Sequence, residues 1–173
     1  MNLDSVIRKV PDFPKAGILY YDITSILMNP EALSYCIDQM VERYFDADLG
    51  AVAAIESRGF LFATPFALRL GIPVILVRKS GKLPGETYKK TYELEYGEDT
   101  IEIHKSDLPA DQNILIVDDL VATGGTIAAA AALIEEAGSR PLEAFSVVGL
   151  PFLEYQERVA PLSVYTLINY ESE

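Results

Sequence analysis

The sequence predicts an α/β fold, an open and mostly parallel twisted sheet flanked by helices. Two observations predict it. Short, mostly apolar runs recur along the chain, at Ala51–Ile55, Pro73–Val77, Ile114–Val117, Phe145–Leu150 and Val164–Ile168. Helical patterns with start and stop signals alternate with several of them. Strands apolar at every position are buried on both faces, and such strands alternating with helices make a parallel sheet covered on both sides.

Each element has its own reason. Asn29-Pro30 reads as an N-cap followed by proline at the first helical position. Leu33, Ile37, Met40, Val41 and Tyr44 then recur at helical spacing, so Pro30–Phe45 is expected to be an amphipathic helix. Gly59–Leu70 is the next helix, with Gly71 placed to end it, and Thr126–Ala137 is an alanine-rich helix stopped by Gly138. One region breaks the alternation. Lys79–Gly85 is rich in glycine, lysine and proline and reads as a mobile loop. After it, Tyr92–Tyr96 and Ile101–His104 alternate apolar and polar residues around Gly97-Glu-Asp. This predicts a β-hairpin with one solvated face, projecting from the core as a lid.

The chain has 173 residues, half of them apolar, which fits a single domain over residues 1–173 with one core. No apolar run approaches the roughly 20 residues that span a bilayer, so no membrane partner is expected. The first residues lack a basic patch followed by a long apolar stretch, so no secretory signal is expected. Cys36 is the single cysteine. It excludes an internal disulfide, argues against a cysteine-based zinc site and suits a reducing cytoplasm. The net charge of −12 argues against nucleic acid as a partner. It also means that any phosphate site must be built locally, from backbone amides, a few placed cations and a metal.

Ile114–Thr126 carries such a site. A buried strand ends in Asp118 and Asp119, and the loop Ala122-Thr123-Gly124-Gly125-Thr126 opens a helix. Glycines let consecutive amides point at one spot, the helix start adds partial positive charge, and Thr123 and Thr126 add hydroxyls. The result is a cradle for a terminal phosphate at the carboxyl end of a parallel strand, where ligands bind in open α/β sheets. Two carboxylates beside a phosphate suggest hydroxyls to accept from, Mg²⁺ to help hold, or both. A ribose 5-phosphate satisfies both halves. No lysine follows the glycines, which excludes a P-loop, and G-x-G-x-x-G is missing.

This stretch resembles the phosphoribosyl-pyrophosphate motif of the type I phosphoribosyltransferases. Phe13-Pro-Lys-Ala-Gly17, Asp22-Ile-Thr24, Glu56-Ser-Arg-Gly-Phe60, Arg78–Gly85 and Leu94-Glu-Tyr-Gly97 resemble the adenine-specific branch, in order and spacing, over nearly the whole chain. The resemblance implies the type I phosphoribosyltransferase fold with a small N-terminal hood (about residues 1–30) and a flexible lid loop and hairpin (about 79–104). It implies conversion of adenine and phosphoribosyl pyrophosphate to AMP and pyrophosphate with Mg²⁺, in a cytoplasmic homodimer. Asp118 and Asp119 would serve the ribose hydroxyls, with Mg²⁺ held mainly by substrate rather than by a direct protein ligand. Ala122–Thr126 would hold the 5-phosphate. Arg58, Lys79 and Lys82 would meet the pyrophosphate. Arg58 would stand on a loop with a cis peptide at Ser57–Arg58. Glu95 and Tyr96 match lid residues over the reacting centre, and Glu95 is the candidate acceptor of the adenine ring proton. Leu19–Tyr21 would form the hood over the purine, with Leu150 beneath. The family commonly has arginine at the position of Tyr21, so the purine's side-chain environment differs there. Arg58, Lys82 and Glu95 are the catalytic candidates. His104, the single histidine, is expected at the surface.

Two other functions compete with this one. A phosphoribosyltransferase for xanthine, hypoxanthine or orotate would keep the same cradle. A regulator binding the sugar ester as an effector would need a basic nucleic-acid-binding surface, and none is visible.

Overall fold

The computed structural model describes residues 1–93 and 97–172. Strands β1 (Arg8–Pro11) and β2 (Leu19–Asp22) pair antiparallel, and the short helix α1 (Thr24–Leu27) follows. The rest is α2 (Pro30–Tyr44), β3 (Leu49–Ile55), α3 (Gly59–Leu70), β4 (Val74–Lys79), β5 (Thr87–Glu93), β6 (Glu98–His104), β7 (Asn113–Val121), α4 (Gly125–Glu136), β8 (Arg140–Gly149), α5 (Tyr155–Val159) and β9 (Val164–Asn169). Strands β3 to β9 form one sheet in the order β5-β6-β4-β3-β7-β8-β9, parallel from β4 to β9 and antiparallel at β6 and β5.

Alternation along the parallel strands divides the core into two halves. Val52, Ala54, Leu115 and Val117 face Cys36, Met40, Phe62 and Phe66 of α2 and α3. Ala51, Ala53, Ile114 and Ile116 belong to the opposite half with Ala130, Leu133 and Ile134 of α4. Capping sets the ends of α2 and α3. The Asn29 side chain accepts from the amides of Glu31 and Ala32 at 3.1 Å, and Gly71 closes α3 at φ 69°.

The structure departs from the expected pattern in two places that matter for the site. Strand β7 continues past Val117 to Val121, because β8 pairs with it as far as Val121↔Gly149. Asp118 and Asp119, expected at the end of the strand, thus lie within the ladder, with Leu120 and Val121 paired after them. The hairpin is joined to the core at its base. Strand β6 pairs with β4 through Arg78↔Glu102 and Lys79↔Ile101, so the hairpin is the edge of the main sheet. The expected solvated face is closed where Glu102 sits, 1 % exposed, between the buried Ile101 and Ile103.

Candidate active site

Strands β3, β4 and β7 end side by side, and the loops that leave them enclose a cavity of about 420 Å³ lined by Glu56, Ser57, Arg58, Lys79, Asp118 and Asp119. Tyr92 and Asp99 line it from the hairpin. Sequence reasoning missed both as site residues, because only the pairing of β6 with β4 brings them there. A smaller hollow of about 120 Å³, lined by Asp118 and Leu120–Ile127, adjoins it.

That hollow is the cradle. Gly124 occupies the left-handed region at φ 78° and α4 begins at Gly125. The Thr126 hydroxyl donates to the Tyr92 hydroxyl at 3.0 Å, so strand β5 lies against the cradle. A second helix, α3, starts next to the cavity. A Cβ on Gly59 would stand 2.7 Å from the Val117 carbonyl and 3.1 Å from the Asp118 Cα. Glycine there lets α3 pack directly on β7 and presents Arg58, in the preceding position, to the aspartates.

Every cation expected in the site rests on a carboxylate. Arg58 Nε lies 2.8 Å from Asp119 Oδ2, and its Nη1 donates to the Tyr20 hydroxyl at 2.7 Å. The Asp119 contact is an ion pair out of line for a hydrogen bond, which leaves a buried Oδ2 without a hydrogen-bond donor among the described residues. Lys79 Nζ pairs with Asp99 Oδ2 at 2.9 Å. Lys82 Nζ pairs with Glu56 Oε1, and Glu56 Oε2 accepts from the Lys79 amide at 2.9 Å and from Arg78 Nε at 3.2 Å.

The charge states follow from this geometry. Burial pushes the Asp118 carboxyl well above the usual range, and the adjacent Asp119 carboxylate raises it further. Burial also pushes Glu56 up, but the Lys82 ammonium, the Lys79 amide and Arg78 outweigh it and bring Glu56 down to about 2. A carboxylate depressed on folding contributes stability above its unfolded pKa and loses it as pH falls to the folded value. The stability difference between the wild-type chain and Glu56→Gln is therefore expected in full above pH 4.5 and to shrink as pH falls toward about 2. Urea midpoints at stepped pH measure it. A difference that grows on acidification contradicts the network.

The remaining expectations fall out unevenly. The structure brings Arg58, Lys79, Asp118, Asp119 and Thr126 to one cavity, with Lys82 joined to it through Glu56. Ala122, Thr123, Gly124 and Gly125 line the adjoining hollow. Glu95 and Tyr96 lie outside the described residues. The non-proline cis peptide is Glu56–Ser57, one bond earlier than Ser57–Arg58. In the hood, the Tyr21 ring is buried and stacked on Tyr170 at 3.8 Å, with its hydroxyl 3.5 Å from the Ser172 carbonyl. The alternation of β2 turns Tyr20 the opposite way, and Tyr20 meets Arg58. Leu19 and Leu150 are half-buried and pack on the α2–α3 side of the core. His104 is half-buried on β6, paired with Thr87, and does not line the cavity.

The hollow at the start of α4 thus opens beside a cation-lined cavity with two aspartates, the arrangement expected of a phosphorylated-sugar site. The phosphoribosyl transferase domain family matches residues 21–156, and the chain belongs to that family of pentosyl-transferring enzymes. Within it, the similarity is to adenine phosphoribosyltransferases. The one from Treponema denticola is 57 % identical over 171 residues, covering 99 % of this chain and 90 % of the relative. The crystal structure of adenine phosphoribosyltransferase from Thermoanaerobacter pseudethanolicus superposes with a TM-score of 0.92 at 42 % identity, covering 96 % and 97 % of the two chains. The Saccharomyces cerevisiae enzyme, complexed with an imino-altritol bisphosphate and adenine, gives a TM-score of 0.90 at 41 % identity, covering 96 % of each chain.

Proposed function

We propose that this chain transfers the 5-phosphoribosyl group of phosphoribosyl pyrophosphate to adenine, giving AMP and pyrophosphate, a step of purine salvage. The observation that carries the proposal is the joining of the Ala122–Thr126 cradle to a cavity whose cations rest on displaceable carboxylates. The relatives named above bear the same activity in their names, and the yeast enzyme is complexed with adenine and a bisphosphate.

In this reading the 5-phosphate accepts from the amides of the cradle and from Thr123 and Thr126, and Asp118 and Asp119 accept from the ribose hydroxyls. The bond from the anomeric carbon to the pyrophosphate oxygen breaks as an adenine nitrogen bonds to that carbon. Positive charge develops on the ribose ring, and the leaving pyrophosphate gains negative charge. Arg58, Lys79 and Lys82 exchange their carboxylate partners for that pyrophosphate, and the planar guanidinium of Arg58 fits two of its oxygens. Leu19 and Leu150 frame the purine, with Tyr21 backing the hood strand. Glu95 takes the proton that adenine loses, and Tyr96 closes over the reacting centre. Exclusion of water there protects the activated sugar from hydrolysis.

Asp118 and Asp119 place hard oxygen atoms at the cavity, near where Mg²⁺ would sit, but Asp119 Oδ2 already faces Arg58. Among the described residues no three such side chains converge, so the substrate would supply most of the metal's ligands. Bound there, Mg²⁺ would neutralise charge on the leaving group. A homodimer is supported by Leu61 and Leu68, seven residues apart on α3 and exposed at 46 % and 81 %. Cytoplasmic location is supported by the single, buried Cys36.

The test is turnover of purified protein with phosphoribosyl pyrophosphate and a panel of bases. Adenine is expected to be converted at least about 100-fold more efficiently than hypoxanthine, xanthine or orotate, a margin that base-specific hydrogen bonds supply readily. A preference for a 6-oxopurine would overturn the assignment.

A further inference from the structure

The loop between β4 and β5 carries Lys82, and its own backbone pairs lie at its ends. The Ser80 amide donates to the Thr100 carbonyl at 2.8 Å, and the Lys105 amide donates to the Glu86 carbonyl at 3.1 Å. Its middle is held by one side chain of another strand. Glu102 Oε1 accepts from the amides of both Lys82 and Leu83, each at 2.9 Å. Glu102 Oε2 takes Lys89 Nζ at 3.1 Å and the Thr87 hydroxyl at 3.4 Å. All four partners are donors, and the carboxylate is 1 % exposed. Sequence alternation places Glu102 on an open face, so only the folded loop reveals this role.

We infer that Glu102 is a positioning residue for the transfer reaction, holding the backbone of Lys82 so that its ammonium reaches the pyrophosphate end of the cavity. From this anchored backbone the Lys82 side chain extends to Glu56, which lines the cavity. A buried carboxylate gripping two consecutive amides sets the loop's path more firmly than a glycine-rich backbone sets its own. Glutamate is required for a chemical reason. In glutamine one end of the side chain is a donor. Turned one way, its N–H faces the two amides and leaves them without an acceptor; turned the other, it faces the Lys89 ammonium, and a neutral carbonyl then holds the amides in place of a charged carboxylate, a weaker grip. The inference rests on the reading of Lys82 as a contact of the leaving pyrophosphate.

The experiment is a double-mutant cycle on Glu102→Gln and Lys82→Met, with kcat and KM measured for each substrate. Glu102→Gln is expected to lower kcat/KM for phosphoribosyl pyrophosphate about tenfold while KM for adenine stays within about twofold. In the Lys82→Met background the same change is expected to cost less than about twofold, because the side chain it positions is gone. Full additivity, or equal losses for both substrates, would assign Glu102 a general structural role and overturn the inference. A harmless Lys82→Met would instead remove the reading on which it rests. Should Glu102→Gln fold poorly by thermal denaturation, Glu102→Asp, charged but a methylene too short, is expected to give the same non-additive pattern, and additivity there overturns the inference equally.

Discussion

Arg58→Met is expected to lower kcat/KM for phosphoribosyl pyrophosphate by about 10²–10³-fold, the usual loss when one preorganised donor to a developing anion is removed. Two consequences combine. The leaving pyrophosphate loses a planar guanidinium that binds two oxygens at once. Asp119, 5 % exposed, also loses the cation 2.8 Å from its Oδ2. It then shares the floor of the cavity with Asp118, whose carboxyl burial already pushes up. Arg58 is one of the charges that hold the Asp118 carboxyl down, so without it Asp118 retains its proton to higher pH and the acid limb of the kcat/KM profile is expected to move upward in pH. Arg58→Lys restores charge without the fork and should recover only part of the loss. Steady-state kinetics from pH 5 to 9 check all three statements. Full activity in Arg58→Met would remove the guanidinium from the reaction.

Gly124→Val is expected to abolish binding of ribose 5-phosphate, with Kd weakened more than about 100-fold. A Cβ at Gly124 would stand 2.8 Å from Val159 Cγ1 and 3.1 Å from the Tyr155 carbonyl oxygen, at a backbone φ of 78°. Backbone of α5 cannot yield as a side-chain tip can, and a β-branched residue strongly disfavours the left-handed region. Relief requires α5 to move or the cradle to unwind, and either disperses the amides. Gly125 differs. Its added Cβ would meet the Arg158 guanidinium and the Tyr92 ring at 3.2 Å, and the guanidinium is the end of a flexible side chain. Gly125→Ala is therefore expected to weaken binding less than Gly124→Ala. Isothermal calorimetry with ribose 5-phosphate ranks the variants. Intact binding in Gly124→Val would place the anion elsewhere.

Much of the scaffold was legible from local pattern. The bounds expected for α3, Gly59–Leu70, are those observed, because a left-handed Gly71 ends the helix in a way local chemistry dictates. The central parallel strands announce themselves because burial on both faces leaves few polar positions in them. The aspartate pair and the glycine cradle are contiguous in sequence, so their co-location needed no tertiary information.

What escaped the sequence is long-range. Tyr20 reaches Arg58 across 38 residues, Asp99 reaches Lys79 across the β4–β6 pairing, and Glu102 holds amides 19 and 20 residues earlier. Alternation in β6 suggested an open polar face, yet pairing with β4 and the fold of the preceding loop cover it. In the hood, sequence marked Leu19–Tyr21 as a unit, whereas strand alternation sends Tyr21 to Tyr170 and Tyr20 to the site.

By itself the sequence determined the layered α/β architecture and the glycine-rich loop that opens α4, since hydrophobic period, capping and glycine placement act over a few residues. Only the tertiary structure decided which carboxylate holds which cation and which strand covers the cavity. Those choices depend on distances between chain segments tens of residues apart, and no local pattern encodes them.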